Sequence, residues 1–445
     1  GASIVNNRYE DLSYRGPIRE KGIPNVFNVF DLDNTKKKAR QDEWQEQTQS
    51  VFASVEVGWK SMLYLTLTGR NDWASQLANS STPCFFYPSV GLSGVISEML
   101  TLPEFIDYMK VRGSFSSVGM PYPRNLTSPT YEYDEANQQW KPKTHYPIKD
   151  LKPERTNSWE LGLDMRLFKD FSLRFSWYLA NTFNQTFDPK VSVSSGYSKI
   201  YLQTGYVRNS GVELSLGYGH TWNNHLHWES NFTLSHNKNT IKDLVTSYIH
   251  PETGLPITQN RLDVGGLGKA RFILKKGGTL GDLYTQSDLK RDNSGMVEID
   301  PSGALTTEDN LPDIKLGSVF PKANLAWNNR FEWRGISLSA LFTARIGGIA
   351  YSATQAAMDQ YGVSERSAQA RDNGGVLLNG RTLVDAQTYY SLIGNSSGLP
   401  QYYTYSATNV RLQEASVGYT IPRKWLGGVC DINVSVAVSY THLTL

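Results

Sequence analysis

The stretch that decides the fold is "SWELGLDMRLFKDFSLRFSWYLA", residues 158–180. Trp159, Leu161, Leu163, Met165 and Leu167 alternate with Glu160, Gly162, Asp164 and Arg166. After a tight turn at Lys169-Asp170, Leu173, Phe175, Trp177 and Leu179 alternate with Arg174, Ser176 and Tyr178. Alternation with period two puts every second side chain on one face, so the segment predicts a hairpin of two strands, each about ten residues long, with one apolar and one polar face.

The plan recurs in four more places. "QSVFASVEVGWKSMLYLTLTGR" (49–70) is expected to turn at Gly58-Trp59-Lys60, and "GVELSLGYGHTWNNHLHWESNFTLSHN" (211–237) at Trp222-Asn223-Asn224. "KANLAWNNRFEWRGISLSALFTARI" (322–346) turns at Trp333-Arg334-Gly335, and "TNVRLQEASVGYTIPRKWLGGVCDINVSVAV" (408–438) gives a fifth pair. Two further strands, "FFYPSVGLSGVI" (85–96) and "DYMKVRGSFSSVG" (107–119), are joined by "SEMLTLPEF", read as one helical turn. Joins within hairpins are short, whereas joins between them run through polar, Gly/Pro/Ser/Asn-rich stretches near 71–84, 119–156, 238–320 and 347–407. Short turns at one rim and long loops at the other are the layout of an outer-membrane barrel.

Composition agrees. Only 39% of the 445 residues are hydrophobic, yet the chain holds 25 Tyr, 17 Phe, 11 Trp and 37 Gly, a turn-rich and strand-rich profile. Trp59, Phe168, Phe171, Trp222, Trp228, Trp333 and Trp425 lie in or beside the short turns, as an aromatic belt at a membrane interface would. No run approaches the roughly 18 apolar residues of a membrane helix, and a barrel needs none. Every backbone group in hydrocarbon must be paired, so the strands must close on one another. About thirteen or fourteen strands are legible, fewer than a large closed cylinder requires.

Other chemistries find little support. A net charge of +2, from 44 basic and 42 acidic residues, gives no reason to expect a nucleic-acid partner. Cys84 and Cys430 are far apart and form no metal or redox motif, and "HLH" (225–227) lacks a third ligand at zinc-like spacing. "GGLGKA" (265–270) departs from the phosphate-loop pattern, and the acidic pairs Asp42-Glu43 and Glu308-Asp309 read as solvated surface. "DLDNTKKKARQDEWQEQ" (31–47) reads as a charge-rich loop in which acids balance lysines. No enzyme activity, cofactor or metal is expected.

Several segments in order resemble one family. "LKPERTNSWELGLDMRLF" (151–168), "GYSKIYLQTGYVRNSGVELSLG" (196–217), "FTLSHNKNTI" (232–241), "LGSVFPKANLAWNNRFEWRGISLSALF" (316–342) and "ATNVRLQEASVGYTIPRKWL" (407–426) resemble the barrel of the SusC/RagA family of TonB-dependent outer-membrane transporters of Bacteroidota. The resemblance implies an all-β fold: an antiparallel transmembrane β-barrel of about 22 strands, of which this chain supplies part, with short periplasmic turns and long extracellular loops. It also implies a lumen plug, a SusD-like surface lipoprotein as lid, and import of oligosaccharides or peptides driven by the TonB–ExbB–ExbD machinery through an N-terminal part.

Residues 1–437 are expected to form one partial barrel domain in outer-membrane lipid, the signal segment, plug and first strands lying outside it. The start "GASIVNNRYED" has no signal-peptide features, and "VSYTHLTL" (438–445) reads as a non-native, adapter-derived tail. Within the family motifs, Asn209 and Gly211 of "RNSGVEL" suit a bend, Glu213 would face the lumen, and Trp159 would anchor its strand at the outer interface. Two other readings use the same strand grammar: a passive porin or adhesin barrel, and a soluble carbohydrate-binding β-protein whose apolar faces form a core.

Recognition is expected in the long loops, where exposed aromatics could stack on the flat C–H faces of sugars. The candidates are Trp73, Tyr131, Tyr133, Trp140, Tyr361, Tyr402, Tyr403 and Tyr405. "YEYDEANQQW" (131–140) interleaves rings with Asp134, Glu135, Asn137 and Gln138 and reads as a saccharide surface; loop-to-loop packing and a lid interface are the competing roles, and the better supported.

Overall fold

The structure is a computed structural model; it describes residues 1–439 apart from 23–25, 27, 125, 127–130, 135–137, 143–144, 147–151, 188–198, 201, 223–224 and 250–255. Thirteen strands form one antiparallel sheet in simple chain order. They are β1 (Ala2–Arg15), β2 (Lys38–Trp59), β3 (Leu63–Ala74), β4 (Cys84–Val95), β5 (Ile106–Met120), β6 (Glu154–Leu167) and β7 (Phe171–Phe187). The order continues with β8 (Leu202–Thr221), β9 (Leu226–Asp243), β10 (Ala323–Trp333), β11 (Ile336–Ile346), β12 (Asn409–Ile421) and β13 (Ile432–Ser439). Among the described residues, β1 and β13 each pair on one side only.

Register settles which face is which. Directly opposed residues share a face, and Val57, Leu65, Leu92, Gly113, Leu161, Trp177 and Val212 form one continuous row across β2 to β8. A second row joins Phe331, Leu338, Val417 and Val436. Most of these side chains are exposed, Leu161 by 56% and Val436 by 69%, while Trp177 and Val212 are half-buried. Among the described residues no second sheet packs on them, which speaks against the soluble reading with a dry core. Water-soluble monomers seldom expose so large an apolar surface, whereas lipid solvates it.

The short-turn rim carries the expected belt. Phe105 stacks on Phe168 at 5.5 Å, and Phe171, Tyr218, Trp228 and Phe331 form a chain of ring contacts of 4.7, 5.1 and 5.7 Å across four strands. Three turns at this rim carry two successive positive φ angles: Lys60-Ser61, Phe168-Lys169 and Arg334-Gly335. That backbone matches the right-handed twist of the strands it joins. The first of these turns therefore lies two residues later than Gly58-Trp59, which remain paired in β2. The join between β4 and β5 is the single helical turn α1 (Ile96–Met99).

Strand lengths exceed the sequence expectation of about ten residues. β2 runs for 22 residues, β8 for 20 and β9 for 18. A band of about 25 Å crossed at a steep tilt needs only about ten residues, so the rest of each strand stands above the bilayer. There the ladder persists but nothing demands an apolar face. This corrects the reading of 31–47 as a loop: Lys38–Gln47 is strand, paired with Asn6–Arg15 of β1, and its polar residues meet across the ladder, as in Arg8 to Glu43 at 3.2 Å. The last strand includes Val438 and Ser439, paired with Ala415 and Glu414; residues 440–445 of the supposed tail lie outside the described residues.

Buried apolar clusters lie at the long-loop rim. One gathers Ala74, Leu77, Phe85, Tyr122 and Leu126; another Val207, Ile241, Leu244, Leu262 and Leu274. The largest is built jointly by the loop between β9 and β10 and the loop between β11 and β12: Leu289, Val297 and Leu305 from the first pack with Ala356, Val384, Tyr389, Ile393, Leu399 and Tyr403 from the second. The second loop also contributes α2 (Ala353–Gln360), α3 (Glu365–Asp372) and α4 (Ala386–Ile393), N-capped by Ser352, Ser364 and Asp385.

Candidate functional site

The inner face of the sheet is polar. One row of opposed residues reads Arg112, Gly162, Ser176, Glu213, Ser235, Asn324, Arg345 and Asn409 across β5 to β12. Gly162 has a steric reason: a Cβ there would lie 2.3 Å from Nε of Arg112. With hydrogen in its place, the Arg112 side chain crosses the neighbouring strand, donates to Ser176 Oγ at 2.6 Å and pairs with Glu160 at 3.0 Å. Gly211 acts similarly, since a Cβ would meet the Tyr178 hydroxyl at 2.5 Å. That residue was expected to mark a bend; β8 instead passes through it unbroken, and the missing side chain makes room for Tyr178, which donates to Asn237.

This face walls a cavity of about 1620 Å³, floored and sided by β5 to β12 and covered by Ala350, Ser352 and the segment Tyr405–Thr408. The cover is a two-stranded ladder, Ile349–Tyr351 with Thr404–Ser406, at the base of the helical module. Glu213 lines the cavity, as its alternation predicted. Charged liners are Lys110, Arg112, Arg166, Arg174, Arg345 and Arg411 against Asp164 and Glu213, a surplus of cations.

Above it the module is locked by one buried carboxylate. Asp359 is fully buried; it accepts from Arg366 Nε at 2.7 Å, Tyr403 Oη at 3.0 Å and Gln355 Nε2 at 3.1 Å, and also from Ser364 Oγ. Burial opposes its charged form, but the Arg366 guanidinium and the Ser364 and Tyr403 hydroxyls outweigh this and hold the carboxyl below the usual aspartate range. Burial beside that carboxylate pushes the Tyr403 phenol well up.

The eight candidate aromatics are scattered. Among the described residues, Tyr405 is the one of them that lines the cavity. Tyr133 and Trp140 meet edge to face at 5.2 Å across a small hairpin, Tyr131–Asp134 with Gln139–Pro142, and both are exposed. The side chain of Tyr131 and residues 135–137 lie outside the described set. Tyr361, 76% exposed, caps the end of α2. Three expectations need correction. Tyr403 is 0% exposed because the 3-10 turn Pro400–Tyr402 points it into the module core. Tyr402 is half-buried against the same core, its hydroxyl near Asp288 at 3.4 Å. Trp73 belongs to strand β3 and shares parity with Leu65 and Leu67, so it sits on the lipid-side face near the long-loop rim.

The cations of the wall were missed. They stand at alternate positions of strands, where the eye follows the apolar partners; the pairing of β5, β6 and β7 is what gathers Lys110, Arg166 and Arg174.

A family model described as "TonB dependent receptor-like, beta-barrel" matches residues 1–436. TonB-dependent receptor P3 of Formosa agariphila is 23% identical over 452 residues, covering 95% of this chain and 43% of that protein. TonB-dependent receptor P26 of the same organism is 23% identical over 350 residues, covering 73% and 34%. Among solved structures, the RagAB peptide importer in its open-open state superposes with a TM-score of 0.72 at 17% identity, over 100% of this chain and 48% of that one. Its closed-closed state gives 0.71 over 100% and 49%. The chain thus spans less than half the length of these relatives, and the likeness to the solved structures is one of fold.

Proposed function

The chain belongs to the TonB dependent receptor-like β-barrel family, and on that premise we propose that it forms part of the wall of an active importer in the outer membrane. Residues 1–437 are the barrel portion of that importer. Cargo enters beneath the extracellular module, passes along the polar face of the sheet and leaves at the short-turn, periplasmic rim. TonB–ExbB–ExbD supplies the energy through a segment outside this chain, and a SusD-like lipoprotein closes the mouth. The cargo is an oligosaccharide or a peptide; the RagAB structures, described as those of a peptide importer, favour keeping peptides in view. No covalent bond is made or broken in the cycle.

The observation that carries this reading is the division of one sheet into an exposed apolar outside and a polar, charged inside that walls a cavity of about 1620 Å³. Tyr405, which lines the cavity together with Tyr108, is the candidate for stacking on cargo, and the exposed Tyr133–Trp140 pair is the candidate surface for the lid or for a second loop.

Uptake by cells carrying the intact receptor provides the test. Import of a labelled oligosaccharide and peptide pool is expected to stop on deletion of the receptor and on collapse of the proton gradient. Uptake that survives the collapse would instead mark a passive pore.

A further inference from the structure

The wall of the cavity carries more positive charge than its surroundings neutralise. Six cations line it, Lys110, Arg112, Arg166, Arg174, Arg345 and Arg411, against two carboxylates. Arg112 is matched by Glu160 at 3.0 Å, and Arg174 reaches Asp164 only at 4.0 Å. Among the described residues, no carboxylate stands within ion-pair distance of Lys110, Arg166, Arg345 or Arg411. The arginines at the upper end are held in place by neutral acceptors: Arg345 donates to the Val319 carbonyl at 2.6 Å and Arg411 to Thr343 Oγ1 at 2.9 Å.

Their distribution follows the depth of the wall. Arg166 is one residue from the end of β6 at the periplasmic turn, and Arg345 is one residue from the end of β11 beneath the module. Between them the row from Arg112 to Arg345 climbs obliquely through Ser176, Glu213, Ser235 and Asn324. A concave surface with low-dielectric walls focuses such a field and raises the local concentration of the opposite charge. Guanidinium forks match carboxylates in shape as well as charge.

We propose that this wall selects cargo bearing carboxylates, so that the importer takes acidic oligomers in preference to neutral ones of the same length. The proposal rests on the importer reading and narrows its substrate class. Uronate oligosaccharides and acidic peptides share the required chemistry, and a plug segment with an acidic face is the competing occupant.

The experiment uses the intact receptor in its own outer membrane. Fluorescent tetragalacturonate and tetra-aspartate are compared with neutral counterparts, cellotetraose and tetraglycine, in wild type, in an Arg345→Gln/Arg411→Gln double variant and in a Lys110→Gln/Arg166→Gln double variant. Retention of the heat-modifiable gel shift of a folded barrel controls for misfolding. Energy-dependent uptake of one acidic probe about tenfold above its neutral partner, weakened by salt and lost in both variants, is the expected result; whether the sugar or the peptide arm responds identifies the source. Energy-dependent uptake without charge preference, or with a preference untouched by the glutamines, overturns the proposal and leaves the importer reading standing. Variants that expose the plug to protease while keeping the preference also overturn it, assigning the cations to the plug. Loss of energy-dependent uptake of every probe in wild type would overturn both.

Discussion

The wall and the module above it solve opposite problems with one chain. In the wall, large side chains such as Leu161, Val417 and Val436 point outward and stay uncovered, while arginines and serines point in. In the module, Leu289, Ile393, Leu399 and Tyr403 are withdrawn almost entirely from solvent, and the buried carboxylates Asp359 and Asp282 are paired with Arg366 and Lys315. The wall is solvated by lipid and held by its ladder; the module is solvated by water and held by burial. A substitution should therefore have opposite consequences in the two regions.

The largest contrast is expected at Arg366. Arg366→Ala leaves Asp359 buried without its cation, which costs about 3–5 kcal/mol. Protease accessibility of 349–406 should rise sharply while the barrel keeps its heat-modifiable migration; joint collapse of both would break the distinction. Next come charges placed on the lipid face. Leu163→Arg and Leu214→Arg should each cost about 2–4 kcal/mol in folding into bilayers, whereas Asp164→Arg, on the polar face of the sheet, should cost far less. Equal costs on the two faces would contradict the assignment of lipid to the outside.

Acid sharpens the comparison further. The Asp359 carboxyl is held below its ordinary range in the folded module, so the unfolded chain takes up the proton first as pH falls. Its stabilising contribution is complete above the ordinary aspartate pKa of about 3.9 and is lost as pH drops through the folded value. Protease protection of the module should accordingly fade below about pH 4, with a shallower acid limb in Asp359→Asn. The smallest effect is expected at Tyr361, whose ring is free of the core: Tyr361→Ala should change module stability by no more than about 0.5 kcal/mol in the same assay.

What could be read from the residues follows the same division. Lipid imposes strict alternation, so the hairpins around Phe168-Lys169 and Arg334-Gly335 and the aromatic belt were legible. Above the bilayer that demand lapses, which is why the strand character of Lys38–Gln47 and the whole of β1 went unseen. The module core was hidden for another reason: Leu289, Val297 and Leu305 are separated from Ala356 and Tyr403 by the β10–β11 hairpin, and no local period links them. Its helices did leave a trace in the capping residues Ser352, Ser364 and Asp385. Tyr402 and Tyr403 look alike in a polar stretch, and only the turn beginning at Pro400 makes one half-buried and the other fully so.

The central claim is that one face of this sheet meets lipid and the other meets water. Single cysteines placed at 173 to 177 on β7 of the intact receptor, with Cys84 and Cys430 replaced by serine, test it most directly. A membrane-impermeant maleimide admitted to the lumen should label positions 174 and 176, while a lipid-dissolved quencher should reach probes at 173, 175 and 177. Labelling without alternation, or apolar positions shielded from both reagents, would contradict it.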